Sequence, residues 1–162
     1  MVKYGPPQVG FEGFSMNPAR IRYDIYRLLA TIYASQFFPH DPIDTEDPRS
    51  LANLASEFEE DESTHLLLTI AIAVRTALNR ETGIADLPCG ELIGDSGTKL
   101  LTVREACNKV IHAKKIRADV ELDGHRMVRQ NPIMHLEGET PNGKRWTARL
   151  ELEPFASHLL GL

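Results

Sequence analysis

The sequence predicts an α+β protein in which a bundle of about four helices precedes a three-stranded antiparallel meander and a short C-terminal helix. Apolar residues recur at helical spacing through most of the chain before residue 115. From residue 116 they alternate with polar residues instead, which is typical of strands with one buried face. Two tight-turn signals, Asp123-Gly124 and Asn142-Gly143, then separate three strand-like segments. We therefore expect helices first and strand pairing only afterwards.

Length and composition predict one globular domain. The chain has 162 residues, of which 42% are hydrophobic and 25% are charged, as in ordinary globular proteins. We divide the domain 1–162 into an extended arm (1–16), a helical part (17–114), an antiparallel sheet (115–153) and a C-terminal helix (154–162). No apolar run approaches the roughly 20 residues that span a bilayer. We expect a cytoplasmic protein without membrane contact, in which Cys89 and Cys107 are free thiols.

Three helices are predicted in the first half of the chain. Asn17-Pro18 is an N-cap followed by proline at the first helical position, and the helix is expected to continue to about residue 36. Asp47-Pro48 repeats the signal before a shorter helix that ends in the acidic run 59–62. A third helix begins near Ser63, and its stretch 66–74 is apolar nearly all round, which is typical of a central core helix.

A fourth helix follows a predicted loop over residues 83–99, where glycine and proline are frequent. Thr102 and Glu105 have the spacing of a capping box, which sets where this helix begins. Its apolar stripe consists of Val103, Ala106, Cys107 and Val110. The strands are then predicted over 116–122, over 125–139 with an interruption at Pro132, and over 145–152.

The polar flank of the fourth helix is the candidate site. Arg104, Asn108 and His112 lie four residues apart, so they share one side of the helix. His112 could act as a general acid or base because the pKa of histidine lies near neutrality. Arg104 could stabilise charge on a phosphate, and Asn108 could orient either group. Alternatively, Arg104 and Asn108 form hydrogen bonds to the preceding loop or to the sheet and so fix the packing of the helix, and His112 complements the helix dipole.

Charge is distributed unevenly along the chain. Residues 1–98 carry 7 basic and 15 acidic side chains, whereas residues 99–162 carry 11 and 8, so the two parts have net charges of −8 and +3. The basic residues near the fourth helix predict a nucleic-acid contact if they gather on one surface. The residues proposed for this contact are Lys109, Lys114, Lys115 and Arg117. The alternative is that they are the solvated faces of an acidic protein.

Other chemistry has little support in the sequence. The remaining histidines are scattered and do not form the close pairs of a zinc site, so we predict no metal and no cofactor. No Gly-x-Ser-x-Gly elbow is present, and neither cysteine has a partner histidine nearby in the sequence. The phosphate-binding loop pattern is also absent, because the glycines between 90 and 97 are not followed by Lys-Ser or Lys-Thr.

The four predicted helices and the segment Asn108-Lys-Val-Ile-His112 resemble the HEPN superfamily, a group of helical ribonucleases and binding modules. HEPN nucleases typically carry an arginine, about four to six further residues and a histidine, often with asparagine directly after the arginine. Cys107 stands at the place of that arginine, and seven residues separate Arg104 from His112. The resemblance covers residues 17–114. It implies a homodimer in which arginine and histidine of two subunits cleave RNA without metal, with the 2′-hydroxyl as nucleophile.

Two classes of function remain. The first is a non-catalytic, dimeric binding or assembly module with an RNA or protein partner, and the second is a metal-independent endoribonuclease that uses Arg104, Asn108 and His112. We favour the first class, because no catalytic or cofactor motif in the chain is strong. The two differ in the expected effect of His112→Ala, which abolishes the activity of a nuclease and leaves a binding module folded.

Overall fold

The computed structural model describes residues 17–35, 51–78, 83–95, 97–122 and 128–161. The described elements follow the order α1 (Pro18–Ser35), α2 (Leu51–Leu78), β1 (Pro88–Gly94), β2 (Gly97–Thr102), α3 (Val103–His112), β3 (Lys115–Leu122), β4 (Val128–Glu139), β5 (Arg145–Glu151) and α4 (Leu152–Leu159). The strands form one antiparallel sheet in the order β2-β1-β5-β4-β3. None of the described helices is long and apolar enough to cross a membrane.

The predicted four-helix bundle with a three-stranded meander is wrong, because the sheet has five strands and two of them precede α3. The predicted loop 83–99 contains β1 and part of β2. Its glycines belong to a hairpin. At Gly90, β1 approaches β5 so closely that a Cβ would overlap the carbonyl oxygen of Arg149, and the pairing of β1 with β2 shifts register between Pro88 and Glu91. Glycine here allows close strand approach instead of indicating a loop.

The second and third predicted helices are one helix, α2, of 28 residues. Neither glycine nor proline occurs within it, so nothing ends the helix at the acidic run 59–62. Ser63, the predicted start of a new helix, is buried within α2. The predicted start signal at 47–48 lies outside the described residues. Ile72 is 49% exposed, so neighbours cover this helix on one side only.

Several local predictions are confirmed. The Asn17 side chain accepts a hydrogen bond from the Ala19 amide at 3.0 Å, as an N-cap does. Strands β3 and β5 lie where the alternation predicts them. Strand β4 continues through Pro132, and the pairing of β3 with β4 shifts register between Ala118 and Asp119. This irregularity accommodates a residue that has no N–H to donate to the sheet.

One face of the sheet is apolar and packs against the helices. On this covered face Trp146, Ala148 and Leu150 of β5 alternate with more exposed residues, and α1 and α3 contact β4 while α4 contacts β1. The opposite, open face carries the alternate side chains. The side chains on the open face of the three C-terminal strands include Lys115, Arg117, Asp119, Asn131, His135, Glu137, Arg145, Thr147, Arg149 and Glu151. The side of the sheet that faces away from the core is therefore largely polar.

Candidate functional site

Helix α3 places the candidate residues because both its start and its rotation are well determined. The Thr102 hydroxyl accepts a hydrogen bond from the Glu105 amide at 3.3 Å, and the Glu105 carboxylate accepts one from the Thr102 amide at 3.5 Å. This reciprocal pair confirms the predicted capping box. The predicted apolar stripe is also confirmed, since Val103, Ala106, Cys107 and Val110 are all buried. The opposite flank of α3 is therefore left for polar contacts.

A groove lies between the C-terminal half of α3 and the hairpin that joins β4 to β5. Its volume is about 470 Å³. The residues that line it are Asn108, Lys109, His112, Lys114, Glu139, Thr140, Pro141 and Trp146. The hairpin closes with hydrogen bonds from the Gly143 amide to the Thr140 carbonyl at 2.9 Å and from the Thr140 amide to the Lys144 carbonyl at 2.8 Å. The turn predicted at 141–143 thus forms one wall of the groove.

Trp146 is the apolar wall of the groove. Its indole packs against Gly138, the residue opposite on β4, where a Cβ would overlap the ring. The Lys109 ammonium lies over the ring, 4.1 Å from its centroid, and such a cation–π contact contributes about 0.5–1 kcal/mol at an exposed site. Trp146 is only 6% exposed. A nucleic-acid base could therefore stack on this ring only by displacing Lys109.

Burial and ion pairing set the electrostatics of the groove. Burial lowers the pKa of Lys109, which the Glu105 carboxylate partly opposes. Lys114 Nζ lies 2.5 Å from Glu139 Oε2, and the hydrogen bond and charge of Lys114 lower the pKa of Glu139. Glu139 is therefore ionised at neutral pH and partly offsets the positive charge of the groove.

Asn108 and His112 come together in the groove, as their spacing predicts. His112 is exposed. The Asn108 Oδ1 atom is buried and has no hydrogen-bond partner among the described residues. A buried acceptor without a donor costs about 1–3 kcal/mol. Because the atom is buried, a donor on a ligand could satisfy it only after the Asn108 side chain rotates toward the groove.

Arg104 lies apart from the other two predicted residues. Its Nη2 atom donates a hydrogen bond to the carbonyl oxygen of Leu78, the last residue of α2, at 3.2 Å. It does not line the groove, and the eight residues to His112 correspond to about 12 Å along a helix. The contact is an internal hydrogen bond, but it joins α3 to the end of α2 and not to the preceding loop or the sheet, where the structural alternative predicts it.

A second, smaller hollow adjoins the groove. Its volume is about 370 Å³. The residues that line it are Lys114, Lys115, Glu137, Gly138, Glu139, Arg145, Trp146 and Thr147. Of the residues predicted to contact nucleic acid, Lys109, Lys114 and Lys115 lie in the groove or the hollow, whereas Arg117 lies outside both and forms an ion pair with Glu137.

No known protein family, curated protein or solved structure matches this chain. The function of the groove therefore has to follow from its own residues.

The two cysteines do not supply a nucleophile. Both are free and buried, and burial raises the pKa of Cys89 and of Cys107 to about 12. Both thiols are therefore protonated at neutral pH. Cys89 lies on β1 rather than in the predicted loop. Among the described residues no group of three or more His, Cys, Asp or Glu side chains is placed to hold a metal ion.

One polar cluster on the open face was missed by the sequence analysis. Asp119 accepts hydrogen bonds from Asn131 Nδ2 at 2.9 Å and lies 2.9 Å from His135 Nε2. The hydrogen bonds from Asn131 and His135 lower the pKa of Asp119. The alternation of polar and apolar residues places Asp119, Asn131 and His135 on the polar sides of their strands. Only the pairing of β3 with β4 brings the three side chains together. The sequence alone carries no signal for that register.

Proposed function

We propose that the protein is a non-catalytic binding module that takes an anionic ligand in the groove between α3 and the β4–β5 hairpin. The observation that carries the proposal is that Lys109, His112 and Lys114 line the same groove as Asn108, whose Oδ1 atom is buried and has no hydrogen-bond partner among the described residues. The ligand that fits these groups has an anionic group and a hydrogen-bond donor, as a hydroxyl-bearing or partly protonated phosphate does.

A purely structural explanation exists for the cations. Basic residues near the C-terminus of a helix interact favourably with its dipole, and Lys109 and His112 both lie in the last turn of α3. The dipole does not explain Asn108, because an orphaned acceptor stabilises nothing. The cation–π contact with Trp146 accounts for the position of Lys109. The unpartnered Asn108 acceptor is therefore the feature that supports a ligand site.

The test uses Trp146, the single tryptophan of the chain. Inorganic phosphate is titrated at constant ionic strength while the emission of Trp146 is recorded. Because a bound anion draws the Lys109 ammonium away from the ring, we expect a saturable change in emission. Lys109→Met keeps the apolar stem on the ring but loses the charge, so it should weaken phosphate binding about tenfold, the effect of one charge-assisted hydrogen bond.

The matched control is Lys144→Met, an exposed lysine in the hairpin turn that does not line the groove. It should bind phosphate like the wild type. The absence of both a saturable emission change and a calorimetric heat for the wild-type protein overturns the proposal. Equal losses in Lys109→Met and Lys144→Met would mean that only the overall charge matters, which also overturns it.

The second candidate is a metal-independent endoribonuclease, favoured by the exposed His112 beside Asn108 and two lysines in the groove. Here His112 would transfer protons, and Lys109 or Lys114 would have to replace Arg104 in stabilising the phosphate. The test is cleavage of single-stranded RNA in the presence of a chelator. His112→Ala must abolish cleavage with an unchanged unfolding midpoint, and cleavage that persists in this variant excludes the role of His112.

A homodimer is a further proposal, and sedimentation equilibrium tests it. The binding proposal does not depend on it, because one chain supplies every residue that lines the groove. The nuclease candidate does depend on it, since the resemblance to HEPN nucleases implies a site shared by two subunits. A protein that binds phosphate as a monomer would therefore favour the binding module.

A further inference from the structure

The groove and the hollow form one longer depression at the end of the sheet. They share Lys114, Glu139 and Trp146. The basic residues that belong to only one part are Lys109 and His112 in the groove, and Lys115 and Arg145 in the hollow. Two basic side chains therefore lie on each side of the Lys114–Glu139 ion pair.

The pairing within this depression shows what kind of anion each part suits. The Glu139 carboxylate pairs with the ammonium of Lys114, and the charge of Arg145, the residue opposite on β5, also lowers its pKa. A phosphate group has up to two charges and several acceptor oxygens, so it can engage two cations at once. Lys115 and Arg145 are both exposed, and neither makes an ion pair within the part of the chain that the structure describes. Each part thus offers two basic side chains to the acceptor oxygens of one phosphate group.

The central ion pair is easily displaced. The Lys114 and Glu139 side chains are 66% and 38% exposed, and pairs this exposed contribute little to stability. A phosphate that lies between the two parts would compete with the Glu139 carboxylate for the Lys114 ammonium. The ionised carboxylate would then remain beside the ligand as a like charge and oppose binding.

We infer that the ligand carries at least two linked phosphate groups, one held by Lys109 and His112 in the groove and one by Lys115 and Arg145 in the hollow, and that it takes Lys114 from Glu139. This inference rests on the proposed function and adds the number of phosphate groups that the ligand carries. Orthophosphate occupies the groove only. A compact polyphosphate and the backbone of single-stranded RNA share the required chemistry.

The first test compares ligands by isothermal titration calorimetry at constant ionic strength. The probes are orthophosphate, tripolyphosphate and a uridylate hexamer. We expect the better of the two longer probes to bind at least about tenfold more tightly than orthophosphate, because a second group gains its own contacts. Whichever longer probe binds more tightly identifies the source of the phosphates.

The second test separates the two parts of the depression. Arg145→Ala should remove most of the advantage of the longer probe and leave orthophosphate binding in the groove unchanged. The matched control is Arg22→Ala, which removes an exposed arginine of α1 that lines neither the groove nor the hollow. Equal affinity of all three probes, or an Arg145→Ala variant that keeps the full advantage, overturns the inference and leaves the proposed function standing.

The third test addresses Glu139. Glu139→Gln removes the competing charge and should tighten binding of the longer probe about fivefold, as expected for one charge a few ångströms away in water. Glu91→Gln neutralises an exposed carboxylate on β1 and is the control. An unchanged or weaker affinity in Glu139→Gln overturns the displacement of Glu139. Failure of the wild type to bind any probe overturns the proposed function itself.

Discussion

The covered and open faces of the sheet differ in what holds their side chains. On the covered face Leu136, Ala148 and Leu150 are at most 2% exposed, and apolar burial stabilises them. On the open face the contacts are hydrogen bonds and ion pairs, such as Asp119 with His135 and Arg149 with Glu151. Burial of the covered face stabilises the fold, whereas substitutions on the open face should lower the free energy of unfolding only slightly. The depression formed by the groove and the hollow lies at the sheet end where the two faces meet.

The largest expected effect is on the covered face. Leu150→Ala in the central strand β5 should lower the free energy of unfolding by about 2–5 kcal/mol, because Leu150 is 0% exposed and a cavity remains. Ile93→Ala is the control from the open face, where Ile93 is 45% exposed, and should cost less than about 1 kcal/mol. Urea denaturation measures both, and equal losses would mean that the faces do not differ as described.

A smaller effect is expected at Gly138, where the covered face meets the groove. Gly138→Ala places a Cβ into the indole of Trp146, so the ring has to move at a cost of about 1–3 kcal/mol. Trp146 emission should change together with the urea midpoint. Gly94→Ala is the control, since nothing lies within 4 Å of a Cβ there. A Gly138→Ala variant with wild-type stability and emission would contradict the packing of Trp146.

The smallest effect is expected at Asp119 on the open face. Hydrogen bonds lower its pKa from the ordinary 3.8, so its contribution is complete above pH 3.8 and is lost as the pH falls through the lower folded-state value. The side chain is 35% exposed, and solvent screening limits Asp119→Asn to less than about 1 kcal/mol at neutral pH. Urea denaturation from pH 7 downward should show the two proteins converging in acid. A gap that widens in acid would contradict this sign.

Local signals allowed several elements of the fold to be predicted. The Thr102–Glu105 box and the apolar spacing after it determine where α3 begins and which side is buried, since both depend only on near neighbours. The same applies to the Asn17 cap and to the alternation in β3 and β5. The β1–β2 hairpin could not be predicted in this way. Its Gly90 allows the close approach to β5, which is about 60 residues away in the sequence.

The candidate site was predictable only where it lies on one helix. Asn108, Lys109 and His112 follow from the phase of α3. The opposite wall, with Glu139 and Trp146, comes from strands whose positions depend on register and on sheet order. The spacing of residues in the sequence determines neither the register nor the sheet order. The groove, the hollow and the Lys114–Glu139 pair could therefore be found only in the folded chain.

The sheet order has a consequence for how the protein folds. Strands β3, β4 and β5 are joined by short connections and can pair early, whereas β1 completes its pairing only with β5, through contacts such as Gly90 with Leu150. Because this pairing closes a loop of about 60 residues, we expect the docking of β1 onto β5 to be the slow step of folding. During synthesis, the β1–β2 hairpin is complete before β5 leaves the ribosome. Until then its inner edge is open to pairing with other chains, which makes the nascent protein prone to aggregation at β1.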